Sequence, residues 1–166
     1  AVWAGGQIDS SLVAAANASQ AKISYSIGYA DGADGPAVTT LSSGEIEILP
    51  TIAGDAKLLG NVVFGDFQIL AEYFGRSGGW DEGNFTYGPT IDFGDFQLLA
   101  QDFGAGSSAL TESELAAMNA FAEEFGESLI APSGGGFQAE PIPEPAAGIA
   151  ATIALAGILG GGRRRR

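Results

Sequence analysis

The chain repeats itself: FGDFQILAEYFG at 64–75 returns as FGDFQLLAQDFG at 93–104, with differences only at Ile69/Leu98, Glu72/Gln101 and Tyr73/Asp102. Such a duplication restricts the fold strongly, because whatever one copy forms the other forms too. A unit of about 30 residues cannot bury an apolar face alone, so the copies must cover one another. Within each copy the apolar residues fall at i, i+3, i+4 and i+7: Phe67, Leu70, Ala71 and Phe74, then Phe96, Leu99, Ala100 and Phe103. This is the stripe of an amphipathic helix. Asp66 and Asp95 open the two helices, where the helix dipole favours a carboxylate, and Gly75 and Gly104 supply the stops. Two such stripes predict helices packed face to face, with the four phenylalanines in the core.

The flanks are shorter and more mixed. Thr111 and Glu114 form a capping-box pattern, which predicts a third helix with Leu115, Met118, Ala122 and Phe125 facing inward and Gly126 at its end. It is expected to cover the open side of the helix pair. Upstream, Ser10 to Ala18 suits a short helix, residues 22–29 alternate as a strand does, and Glu45-Ile-Glu-Ile-Leu offers that strand a partner. The 26 glycines and 7 prolines imply short elements between frequent turns. From 131 to 145 the composition is that of a linker, without periodicity.

Charge and missing residue types narrow the function. Apart from the terminal run Arg163 to Arg166, only Lys22, Lys57 and Arg76 stand against 20 carboxylates. A body this acidic repels phosphate backbones, so no nucleic-acid partner is expected. With no cysteine and no histidine, disulfides, thiolate and imidazole metal sites and the usual serine triads are excluded. Paired carboxylates such as Asp92 and Asp95 remain, but as catalysts they would need a deep cleft.

The unit of loop, aspartate and helix, repeated over 54–104, resembles a dockerin type I domain, whose copies are EF-hand-like calcium loops each followed by one helix. The resemblance implies calcium as cofactor, with oxygen ligands at loop positions 1, 3, 5, 9 and 12, a glycine at 6 and an apolar residue at 8. In the first loop Asp55 and Asp66 match positions 1 and 12, with Gly60 at the turn and Val62 at the apolar position. Lys57, Leu59 and Val63 stand where ligands belong. In the second loop Asn84, Thr86, Asp92 and Asp95 match positions 1, 3, 9 and 12 and Ile91 keeps the apolar contact, but Gly88 and Pro89 depart from the pattern at 5 and 6. A site so depleted is weak, in the range of about 10⁻⁴ to 10⁻³ M at best. The aromatic residues Phe64, Trp80, Phe85, Tyr87 and Phe93 around the loops suggest that buried rings replace a lost ion. The resemblance further implies docking to a cohesin-like module or a surface polysaccharide, with Gln68, Glu72, Gln97 and Gln101 outward on the helices.

The end of the chain reads PEPAAGIAATIALAGILGGGRRRR. Pro143, Glu144 and Pro145 precede an uncharged stretch from Ala146 to Gly162, about 26 Å if helical, and then Arg163, Arg164, Arg165 and Arg166. By the positive-inside rule the arginines stay cytoplasmic and the acidic bulk faces outward. The arrangement resembles the PEP-CTERM sorting signal. That resemblance implies transient anchoring in the inner membrane of a Gram-negative bacterium, recognition by an exosortase-type membrane transpeptidase, and transfer to the cell surface or extracellular matrix.

The expected fold is therefore mainly α with a small β segment, an α+β arrangement in five parts. Residues 1–53 form a β/loop segment ending a truncated upstream domain, and 54–104 the dockerin-like tandem. Residues 105–130 form the third helix, 131–145 a flexible linker, and 146–166 a transmembrane helix with its arginine cluster. The absence of a leader at Ala1 implies a longer parent. The expected function is a non-catalytic surface or matrix protein, or alternatively the docking and anchoring appendage of a secreted polysaccharide-degrading enzyme.

Overall fold

A computed structural model of the chain describes residues 10–19, 22–32, 41–106, 111–131 and 135–143. Helix α1 (Ser11–Ser19) leads into strands β1 (Tyr25–Asp31) and β2 (Ile46–Ile52), which pair antiparallel from Tyr25 with Ile52 to Asp31 with Ile46. The repeated segments form α2 (Phe64–Tyr73) and α3 (Phe93–Asp102), separated by a 3₁₀ turn at Trp80–Glu82. Then follow α4 (Glu112–Glu123) and a second antiparallel pair, β3 (Glu127–Ile130) with β4 (Gln138–Pro141).

The helix stripes do what their spacing predicts. Phe67, Leu70, Phe96, Leu99, Ala100 and Phe103 are buried, Ala71 and Phe74 partly so, and the rings of Phe67 and Phe96 meet edge-on at 6.0 Å across the helix pair. Helix α4 closes the open side. Its capping box is formed, with Thr111 N–H donating to Glu114 Oε2 (2.9 Å) and Glu114 N–H to Thr111 Oγ1 (3.3 Å). Met118 and Ala122 are buried. Phe121, which lies off the expected stripe, is the residue that joins the helices: its ring stands 5.5 Å from Phe67, 5.1 Å from Phe74 and 5.0 Å from Phe96. Phe125 remains 43% exposed yet packs on Phe74 and Phe93.

The two copies are related in their contacts as well as in sequence. Val62 exchanges backbone hydrogen bonds with Gly104 (2.9 Å) and Ala105 (3.1 Å) beyond α3, and Ile91 does the same with Gly75 and Arg76 (both 2.8 Å) beyond α2. Each loop is thus tied to the exit of the other copy's helix. Gly54 and Gly83 repeat this reciprocity, with φ of +102° and +104°. A Cβ on Gly54 would sit 2.8 Å from the Cα of Leu99, and one on Gly83 would sit 2.8 Å from that of Leu70. Only glycine meets both demands, a left-handed backbone and no room for a side chain.

Two expectations are corrected. The fold is α+β with four helices and two small antiparallel sheets among the described residues, not mainly α with one β segment. The additional sheet arises because β4 lies within the stretch whose composition suggests a linker. Gly135 and Gly136, at positive φ, precede β4, and Phe137 N–H donates to Ala100 O (2.7 Å), which anchors the hairpin on α3. The second correction concerns the transmembrane helix. Among the described residues no helix is long and apolar enough to cross a membrane. The longest, α4, has 12 residues, where a span needs about 20. The segment 146–166 lies outside the described residues.

Candidate functional site

The two loops preceding α2 and α3 hold the acidic and amide side chains on which the calcium expectation rests. In the first loop Asp66 is fully buried at the third position of α2. Its Oδ2 accepts the N–H of Val63 (2.9 Å), the helix N-cap, and its Oδ1 the N–H of Lys57 (3.2 Å). Asp55, also fully buried, accepts the N–H of Leu59 (3.0 Å) and of Gly60 (2.7 Å), and the Thr51 hydroxyl donates to it as well. The Trp80 indole N–H reaches back from the 3₁₀ turn to the carbonyl of Asp55 (2.8 Å).

The second loop repeats this wiring. Asp95, buried, accepts Thr86 N–H (2.7 Å) and Asp92 N–H (2.8 Å), and Asn84 Oδ1 accepts Gly88 N–H (2.9 Å). The Asn84 amide nitrogen donates to the carbonyls of Gly78 (2.9 Å) and Gly88 (2.8 Å). Asp92 is exposed and caps α3 by accepting Gly94 N–H (2.8 Å), and Thr86 is exposed too. Leu58 and Tyr87, one in each loop, both adopt φ of +57°. Both lie against β1: the Leu58 side chain at Gly28, and the Tyr87 hydroxyl donating to Ile27 O (2.6 Å) and lying 2.8 Å from Ser26 Oγ.

Calcium takes six to eight oxygens, and several of the oxygens in these loops already accept hydrogen bonds from the chain. The first loop places Lys57 and Leu59 at ligand positions, leaving two carboxylates already engaged by amide N–H groups. In the second loop the Asn84 amide is turned so that its N–H groups bridge two loop carbonyls, and Asp92 is committed to the helix N-terminus. Among the described residues no three histidine, cysteine or acidic side chains are gathered as if to hold a metal ion.

Electrostatics set Asp66 apart. Burial, the largest cause, and the neighbouring Asp55 push its carboxyl up to about 6, against the opposing pull of the Val63 and Lys57 amides and the Lys57 charge. Asp102, at the end of α3, is also raised to about 6 by burial, opposed by its bonds to Ser24. Both Asp102 oxygens accept the Ser24 N–H (3.2 and 3.1 Å), and Gln101 Nε2 donates to Ser24 Oγ (3.0 Å). Sequence reasoning missed this clasp. Its signal was present, because two of the three positions at which the helices differ are Glu72/Gln101 and Tyr73/Asp102.

Of the residues expected to carry the sorting motif, Pro143 is exposed just beyond β4. Glu144, Pro145 and Arg163 to Arg166 lie outside the described residues. The outward positions Gln68, Glu72, Gln97 and Gln101 are all exposed. Comparison of the chain with protein-family models, with curated proteins and with solved structures gives no match in any of the three.

Proposed function

We propose that this chain is a non-catalytic module of an exported bacterial cell-surface or matrix protein, in which a dockerin-like tandem precedes an exosortase-type sorting motif at Pro143, Glu144 and Pro145. The observation that carries the non-catalytic part is how the buried acids are used. Asp55, Asp66, Asp95 and Asp102 each accept backbone N–H groups and hold loops, helix starts and the β1 lead-in together. Oxygens committed to backbone amides in this way act as structural fasteners. The sorting part is supported by the order of Pro-Glu-Pro, apolar stretch and arginines, and by the exposure of Pro143 two residues beyond β4.

The test is to express the full chain, behind a secretion leader, in matched hosts with and without an exosortase, and to read its C-terminus by mass spectrometry. The expected result is a shortened form lacking Arg163 to Arg166 only where the transpeptidase is present. Its loss is expected when Pro143, Glu144 and Pro145 are all replaced by alanine. Intact arginines in both hosts would overturn the proposal.

A further inference from the structure

We propose that the paired loops keep their calcium-loop shape without any cation, the ion's organising role having passed to the chain's own N–H groups. The inference is independent of the sorting reading. It rests on a correspondence between two loops whose side chains differ. At position 12 an aspartate closes each loop on the amides of positions 3 and 9: Lys57 and Val63 in one, Thr86 and Asp92 in the other. At position 1 the side-chain oxygen takes the amide of position 5, Leu59 or Gly88. An ion-organised loop needs the cation to hold its converging acids, because carboxylates gathered without one repel. Here the partial positive charges of the backbone face those oxygens instead.

What each loop adds is nitrogen where the parent pattern asks for oxygen. The Lys57 ammonium, at position 3, lies over Gly65 at the start of α2, and its charge favours the ionised form of Asp66. In the second loop the Asn84 amide nitrogen spans the carbonyls of Gly78 and Gly88. Because Gly88 N–H must find an acceptor and those carbonyls a donor, the amide orientation is fixed by its partners. A cation approaching either loop would meet N–H groups along with lone pairs.

The experiment compares thermal melts of the whole chain and of Asp66→Asn and Asp95→Asn in chelator and in about 10 mM calcium, well above the affinity of a weak extracellular site. The wild type is expected to melt within about 1 °C in the two buffers. Each variant should melt lower by the same amount in both, since an amide replaces one of the two accepting oxygens with an NH2 donor that faces an N–H group. A wild-type rise of more than about 5 °C in calcium would overturn the proposal. So would a variant penalty that disappears in chelator. Should the variants not fold, terbium luminescence on the wild type decides: Trp80 and Tyr87 border the loops, and saturable sensitised emission displaced by calcium would refute cation independence, whereas flat emission would support it.

Discussion

In the first unit α2 ends on Glu72 and Tyr73, one exposed and the other half-buried; in the second, α3 ends on Gln101 and Asp102, which together grip Ser24. Inside, the units are nearly interchangeable. Gly54 lies on Leu99 as Gly83 lies on Leu70, and Val62 bridges to the far helix exit as Ile91 does. The difference shows which constraints a duplicated fold retains. Positions where one copy packs on the other are locked, because each must satisfy a surface that is its own counterpart. Positions facing the rest of the chain are free to diverge, and they diverge toward whatever lies against them.

The sharpest test of the shared interior is a pair of matched substitutions. Gly54→Ala and Gly83→Ala each force a side chain into left-handed backbone and against a helix Cα. We expect each to cost about 2–4 kcal/mol, with the two values agreeing within about 0.5 kcal/mol, measured by urea denaturation. A large inequality would break the equivalence of the copies. A small value for both would mean that the helix pair yields where the packing says it cannot.

The parts legible in the sequence were those whose signal is local and periodic. The helices α2 and α3 follow from a stripe confined to one segment, and the α4 cap from residues three apart. β1 and β2 pair as their alternation suggests, although β1 covers 25–31 instead of 22–29 and β2 runs on from Leu49 to Ile52. The hairpin of β3 and β4 was not legible, because four-residue strands flanked by proline and glycine carry almost no period. Their pairing is fixed by distant contacts, Leu129 N–H on Asn119 Oδ1 (2.9 Å) and Phe137 on α3. Phe121 was missed for a related reason: it sits beside the stripe and becomes central only once three helices meet. The loops were legible in spacing, while the hydrogen bonds that fill them were not, since position 12 is an acid whatever it faces.

A smaller effect separates the units by pH. The Asp102 carboxyl is raised to about 6 by burial, above the ordinary 3.8, so the folded chain binds its proton more tightly than the unfolded chain does. Its contribution is therefore greatest below about pH 4 and is lost as pH rises through about 6. Tyr73, its counterpart in α2, has no carboxylate to titrate there. Relative to Asp102→Asn, the wild type should gain about 1–3 kcal/mol of unfolding free energy between pH 7.5 and pH 4, solvent screening keeping the gain near the lower end. Asp66, shifted in the same direction, remains in both proteins and cancels from the difference. A flat difference would show that Asp102 ionises as freely in the fold as in the unfolded chain.

The smallest effect bears directly on why the copies diverged. Gln101 is exposed, and its bond to Ser24 crosses from the tandem to the segment that leads into β1. Glu72, its counterpart, is equally exposed at the same turn of α2. Gln101→Ala should cost about 0.5–1 kcal/mol, the net worth of one ordinary hydrogen bond, and Glu72→Ala about half a kcal/mol or less, as for a surface position. Hydrogen exchange gives the finer reading, because loss of the Gln101 bond should speed exchange at Ser24 and Tyr25 while leaving α2 and α3 unchanged. If both substitutions were equally silent in stability and exchange, divergence at this position would not be an adaptation to the N-terminal sheet. The grip on Ser24 would then belong to Asp102 alone, whose two oxygens already hold the Ser24 amide.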